Sequence, residues 1–226
     1  MLAGVGGSGS RMAVRLSELH KGLVALGRPG LELTACDPKQ VTHASLVRQA
    51  FYPFEVGRFK AEALISRINA ALGVNWHGVA ARVQDVQMRE FDLVVSCLDS
   101  APARQALGNA LKPALKGKNP WHLDLGNGKN FGQWILGGGP LPSPYVALPA
   151  LLEETQEDLD TPSCSALESL LRQDLYINET VSLFAAQLLW TLFTTGEVSS
   201  TGGFINLENG TMALNGPPLL EQVAAA

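Results

Sequence analysis

Met1-Leu2-Ala3-Gly4-Val5-Gly6-Gly7-Ser8-Gly9-Ser10 opens the chain with a short apolar start and a glycine-rich turn. Gly4, Gly6 and Gly9 fit the G-x-G-x-x-G spacing. Missing side chains there allow a tight turn and let backbone N–H groups approach an anion closely. Met12, Leu16, Leu19, Leu23 and Leu26 then recur at helical spacing, and Gly27 and Pro29 end the pattern. Turn and helix together aim a helix N-terminus at a bound phosphate. The bland alternative is a glycine-rich tail, which the helix behind it disfavours. Three residues precede the glycines, where a strand usually takes about five or six. The expectation is a shortened first strand, or a start lying further upstream.

Leu31-Glu32-Leu33-Thr34-Ala35-Cys36-Asp37 reads as a strand ending in an acid. Such an acid suits ribose hydroxyls at the edge of an α/β sheet, or merely caps the following turn. The pattern continues as a helix over Gly57 to Leu72 and strands over Val74–Val83 and Phe91–Leu98. A helix over Ala101–Leu115 and strands over Trp121–Leu125 and Gln133–Leu136 follow. Alternation of this kind predicts an α/β fold: a doubly wound, mostly parallel Rossmann-like sheet with helices on both faces. We take 1–136 as the nucleotide-binding core. The remainder, 137–226, is read as a crossover, helices and a terminal hairpin completing the same domain. Within it, the acidic stretch from Glu153 to Asp160 reads as a solvated loop, and Thr161-Pro162-Ser163 as a helix start. Asn178 is the expected cap of a helix to about Thr195, and a hairpin is expected around Asn209-Gly210.

Length and composition set limits. At 226 residues the chain can bury a sizeable core. A net charge of −4 argues against non-specific nucleic-acid binding. Charged residues make up 17%, below the usual ~25%, which predicts surface buried in an oligomer. Three cysteines without a C-x-x-C pair fit a reduced, cytoplasmic setting. The apolar run from Val181 to Phe193 is too short to span a bilayer, and no secretory signal is seen at the start.

Three further elements add chemistry: Arg48-Gln49, Lys60 within Gly57-Arg58-Phe59-Lys60-Ala61, and Leu98-Asp99-Ser100 with Arg104 nearby. Singly, Arg48 and Lys60 read as surface charges and Asp99 as a helix cap. Together they match nucleotidyl chemistry, which needs cations for a triphosphate and an acid at a strand's carboxyl end for Mg²⁺.

In this order the residues resemble the ThiF/MoeB and ubiquitin-activating superfamily. Its pattern is G-x-G-G-x-G-S, an acid after the second strand, N-R-Q, V-G-x-x-K-A, and D-N or D-S with a nearby arginine. This chain reads GVGGSGS, Asp37, Val47-Arg48-Gln49, Val56 to Ala61 and Leu98 to Arg104. The nearest likeness is to the ThiF-like proteins of PRTRC plasmid clusters. Leu123 to Asn127, Pro162 to Ser165 and Arg172 to Leu175 are similar to theirs as well.

The resemblance implies an ATP-dependent adenylyltransferase acting on the C-terminal carboxylate of a small ubiquitin-like, β-grasp protein. It implies a homodimer too. Gly4, Gly6, Gly7, Gly9 and Ser10 would form the phosphate loop, and Asp37 would hold the ribose. Arg48, Gln49 and Lys60 would bind phosphates, Leu98 would line the site, and Asp99 would coordinate Mg²⁺. Two departures stand out. Val47 replaces the family asparagine, and the paired cysteines that hold zinc in many relatives are missing, so no zinc is expected. Cys164 resembles a cysteine that in some relatives accepts the activated acyl group, although a structural thiol is the simpler reading. The four histidines lack ligand spacing. A non-catalytic binding module and a nicotinamide-dependent oxidoreductase remain as alternatives.

Overall fold

The computed structural model describes residues 1–88, 91–114, 119–153 and 171–214. Eight strands form one sheet in the order β3-β2-β1-β4-β5-β6-β7-β8. The strands are β1 (Leu2–Ala3), β2 (Thr34–Cys36), β3 (His77–Val79), β4 (Leu93–Ser96), β5 (Trp121–Asn127), β6 (Phe131–Gly138), β7 (Gly202–Asn206) and β8 (Thr211–Leu214). The first five run parallel. From β5 onward the pairing is antiparallel. The helices are α1 (Gly7–Ala25), α2 (Ser45–Arg48), α3 (Lys60–Leu72), α4 (Ala101–Ala114), α5 (Pro144–Ala147) and α6 (Ile177–Thr195). The α/β, doubly wound character predicted from alternation is therefore observed.

Period-two alternation divides each central strand between two cores. Leu2, Ala35, Val95 and Leu123 enter the core beneath α1, α3 and α6. Met1, Ala3, Cys36 and Val94 turn to the opposite core with Leu107 and Leu111 of α4 and Tyr145 of α5. Gly22 lets the Trp190 ring lie against α1, where a Cβ would come 2.8 Å from the ring.

Several boundaries differ from the sequence reading. β1 is two residues long, and the strand expected over Val74–Val83 is only His77–Val79, with a 3₁₀ turn at Val83–Asp85. In the terminal hairpin, β7 pairs with β6 and extends the main sheet. The strand expected over Trp121–Leu125 continues to Asn127, and Gly128 begins the turn into antiparallel β6. Asn178 lies inside α6 rather than capping it; the residue preceding the helix is Tyr176, and no side chain caps the start. The acidic stretch beyond Glu153 and the helix start at Thr161 lie outside the described residues.

Candidate functional site

β1 has β2 on one side and β4 on the other, the point at which an open α/β sheet reverses its winding. Ligands of such sheets sit outside the carboxyl ends of the strands at that point. Here it opens into a cleft of about 1310 Å³.

The glycine loop forms its floor. Gly4 has φ +84°, and a Cβ there would lie 2.6 Å from the Cys97 carbonyl oxygen. Gly9 packs so closely that a Cβ would meet the Gly4 carbonyl at 2.0 Å. Gly6, by contrast, would carry a Cβ into open space. It precedes α1, whose first turn has no capping side chain and no acid. Unpartnered N–H groups and the helix dipole therefore favour an anion there.

Asp37 steadies this loop. Its carboxylate accepts from the Val5 N–H at 2.7 Å and from the Lys39 N–H at 2.8 Å. Asp37 thus caps the turn, as one of its two sequence readings expected, and it also lines the cleft. Each carboxylate oxygen has a second lone pair available to a hydroxyl.

Lys60 reaches the same place because its own N–H donates to the Lys39 carbonyl at 3.0 Å, tying the start of α3 to the chain leaving β2. Its side chain is buried at 7% exposure. Burial pushes its pKa down, Asp37 and Asp99 push it up, and Lys39 and Arg48 lower it further; the net direction is down. These charges surround one space. Asp99 lies at the rim, its side chain 74% exposed, and accepts from Lys39 Nζ at 2.6 Å. Desolvation would raise its pKa, but Lys39 and then Lys60 outweigh this and hold it below the usual carboxylate range. At that exposure the ion pair contributes little to stability.

Arg48 ends α2 and donates to Gln173 Oε1. Burial, with Arg172 nearby, lowers its pKa. Gln173 in turn accepts from Asn178 Nδ2 at 3.4 Å, and Ser8 Oγ lies 3.0 Å from Asn178 Oδ1 and 2.8 Å from Asn127 Oδ1. One polar chain therefore links the glycine loop, α6 and Arg48. Beside it, Gln49 Oε1 and Asn127 Nδ2 are buried without a hydrogen-bond partner among the described residues. They offer a bound molecule one acceptor and one donor.

Gly4, Gly6, Gly7, Asp37, Arg48, Gln49, Lys60, Leu98 and Asp99 all line this cleft. Gly9 and Ser10 do not. Gly9 is pressed against the loop's own backbone, and Ser10 Oγ accepts from the Ala50 N–H at 2.9 Å, holding the loop to the segment that carries Gln49. They support the floor from behind. Cys164 lies outside the described residues. Sequence reasoning missed Ser8, Lys39, Asn127 and Asn178 as cleft residues; Lys39 stands two positions after the strand-end acid, which was its available signal.

ATP fits this donor set: loop amides, a helix N-terminus and two buried-to-half-buried cations facing one space. Mg²⁺ is commonly held by one or two carboxylates plus substrate phosphates. Among the described residues no group of three or more His, Cys, Asp or Glu is placed to hold a metal. Asp99, exposed at the rim, fits a phosphate-bridged ion and not a cage built of protein alone. No helix among the described residues is long and apolar enough to cross a membrane.

Comparison of the sequence with family models and with curated proteins gives no match. Comparison of the fold does. PaaA is 13% identical, with a TM-score of 0.62, over 96% of this chain and 63% of its own. Escherichia coli MccB solved with ATP is 16% identical, with a TM-score of 0.63, over 96% and 63%. MccB in complex with N-formylated MccA, where it is described as a microcin C7 biosynthetic enzyme, is 14% identical, with a TM-score of 0.66, over 96% and 64%. The chain thus shares the fold of these proteins while spanning less than two thirds of their length.

Proposed function

We propose that this chain binds ATP in the cleft and adenylates the C-terminal carboxylate of a small ubiquitin-like, β-grasp protein, acting as a homodimer. The observation that carries the reading is the convergence of the glycine loop, the α1 N-terminus, Arg48, Lys60 and Asp99 on one cavity. ATP bound by MccB, a protein of the same fold, supports it.

In the reaction, a carboxylate oxygen forms a bond to the α-phosphorus. The bond from that phosphorus to the bridging oxygen breaks, and its electron pair leaves with pyrophosphate. An anion thus approaches a polyanion, and the barrier is largely electrostatic. The amides of Gly6 to Ser8 hold phosphate oxygens. Lys60 and Arg48 neutralise the charge that builds between nucleophile and leaving group. Asp37 orients the ribose, which fixes the α-phosphate against incoming substrate. Asp99, released from Lys39, would hold Mg²⁺, and the ion would supply polarisation of the phosphoryl oxygens and charge for the leaving pyrophosphate.

The test is exchange of labelled pyrophosphate into ATP in the presence of the β-grasp partner. Exchange that depends on the partner's free C-terminal carboxylate supports the proposal. ATP binding without exchange at any partner concentration would reduce the chain to a binding module.

A further inference from the structure

Behind the carboxyl ends of β4 and β5 lies a polar cluster that the nucleotide reading does not use. Asp124 is fully buried. Its Oδ2 accepts from Ser96 Oγ at 2.6 Å and from Tyr145 Oη at 3.1 Å. Ser96 also pairs with His122 Nε2 at 2.8 Å, and the His122 and Tyr145 rings meet edge to face. Burial holds His122 at a pKa of about 4, so it is neutral near pH 7 and offers Asp124 no charge. The cation in contact with Asp124 is Arg104, whose Nε lies 3.4 Å from both carboxylate oxygens. A buried carboxylate without a cation is strongly unfavourable, so Asp124 fixes where Arg104 sits.

That place is the cleft wall. Arg104 and Gln133 both line the cavity, at the bare edge of β5 made by Gly126. A Cβ on Gly126 would fall 2.1 Å from Gln133 Nε2 and 2.7 Å from Arg104 Nη2. Two side-chain N–H donors therefore converge over one glycine. Arg104 comes from α4 and is held by Asp124 of β5, whereas Arg48 and Lys60 come from α2 and α3. Lys60 feels Asp37, Lys39, Asp99 and Arg48, whereas Arg104 acts on Cys97, His122 and Tyr145. The cleft holds two cationic sectors, and adenylation brings it two anions.

We infer that Arg104 and Gln133, converging over Gly126 and anchored by buried Asp124, form a carboxylate-binding subsite that receives the C-terminal carboxylate of the acyl substrate. A planar guanidinium beside an amide suits a carboxylate, taking one oxygen on each donor. The naming of that carboxylate as the acyl group rests on the adenylation reading; the anion subsite itself does not.

The experiment uses N-acetylglycine as the smallest peptide C-terminus, N-acetylglycinamide as its uncharged control, and inorganic pyrophosphate. Each is titrated into the ¹⁵N-labelled full chain while the Arg104 Nε–H and Gln133 side-chain NH₂ signals are followed. ATP binding is measured separately by calorimetry. N-acetylglycine should shift both signals with a Kd on the order of 10 mM, and the amide should shift neither. Arg104→Lys should weaken the binding about 10-fold, and Gln133→Leu should weaken it while leaving the Arg104 response in place. If ATP binds but N-acetylglycine moves neither signal, the subsite is refuted and the nucleotide reading stands. If pyrophosphate moves them more strongly than N-acetylglycine does, Arg104 belongs to the phosphate site and the inference is overturned. If N-acetylglycine binds and ATP does not, the subsite stands and adenylation fails.

Discussion

Lys60→Met separates function from stability, because the two should move in opposite directions. Lys60 is 7% exposed, and burial holds its pKa below the ordinary lysine value. The ligand-free protein therefore carries a desolvated ammonium, an arrangement that opposes folding. Since the folded pKa lies below the unfolded one, this cost is present at neutral pH and disappears only as pH rises through both values. Methionine fills similar space without charge, so the ligand-free variant should gain about 1 kcal/mol. For a chain of this size that raises Tm by about 2–4 °C. With ATP the sign reverses. A charge-assisted hydrogen bond to phosphate contributes about 1.5–3 kcal/mol, so the variant should bind ATP roughly 10- to 150-fold more weakly. Adenosine affinity should not change. Calorimetry with ATP and adenosine, beside thermal melts of both proteins, reads all three quantities. A lower Tm with unaltered ATP affinity would show that Lys60 is a structural partner of Asp37 and would refute the argument.

Gly6→Ala and Gly9→Ala test the loop as a pair. The first places a methyl in open space and should weaken ATP binding with little change in stability, whereas the second collides with the Gly4 carbonyl and should cost about 1–3 kcal/mol in denaturant unfolding. Asp37→Ala removes the acceptor from the Val5 and Lys39 N–H groups and should lower stability by about 1–3 kcal/mol, with weaker binding of ATP but not of inorganic triphosphate. Asp99→Ala, at an exposed position, should abolish pyrophosphate exchange while unfolding stability stays within about 0.5 kcal/mol of the parent. His122 titrates near 4 when folded and near 6.5 when unfolded, so the unfolded chain binds the extra proton between those values. Stability should fall as pH drops from about 6.5 to 4, by roughly 3 kcal/mol in total, and His122→Gln should remove that component from the pH profile measured by urea denaturation.

The sheet was legible because its signals are local. Near-continuous apolar runs such as Leu93–Ser96 and helical spacing from Met12 to Leu23 depend on neighbours in sequence. The loop glycines were legible for the same reason, and their order with Arg48, Lys60 and Asp99 placed the cleft. What escaped was set by tertiary contact. Asn178 looked like a cap, yet α6 begins at Ile177 and the amide faces Ser8, 170 positions away. Ser10 looked like a loop ligand, but its hydroxyl is engaged by Ala50. The polar cluster around Asp124 was not read either, because no local pattern announces that Ser96, His122 and Tyr145 will meet there. Pairing direction was not read from the sequence, although the short connection between β5 and β6 permits only the antiparallel pairing observed.

The most direct measurement is a crystal structure of the chain with a non-hydrolysable ATP analogue and Mg²⁺. The account predicts phosphate oxygens on the amides of Gly6 to Ser8, the ribose on Asp37, and Lys60 and Arg48 both in contact with the triphosphate. A nucleotide bound elsewhere, or seated in the cleft with Lys60 and Arg48 out of contact with it, would contradict the account.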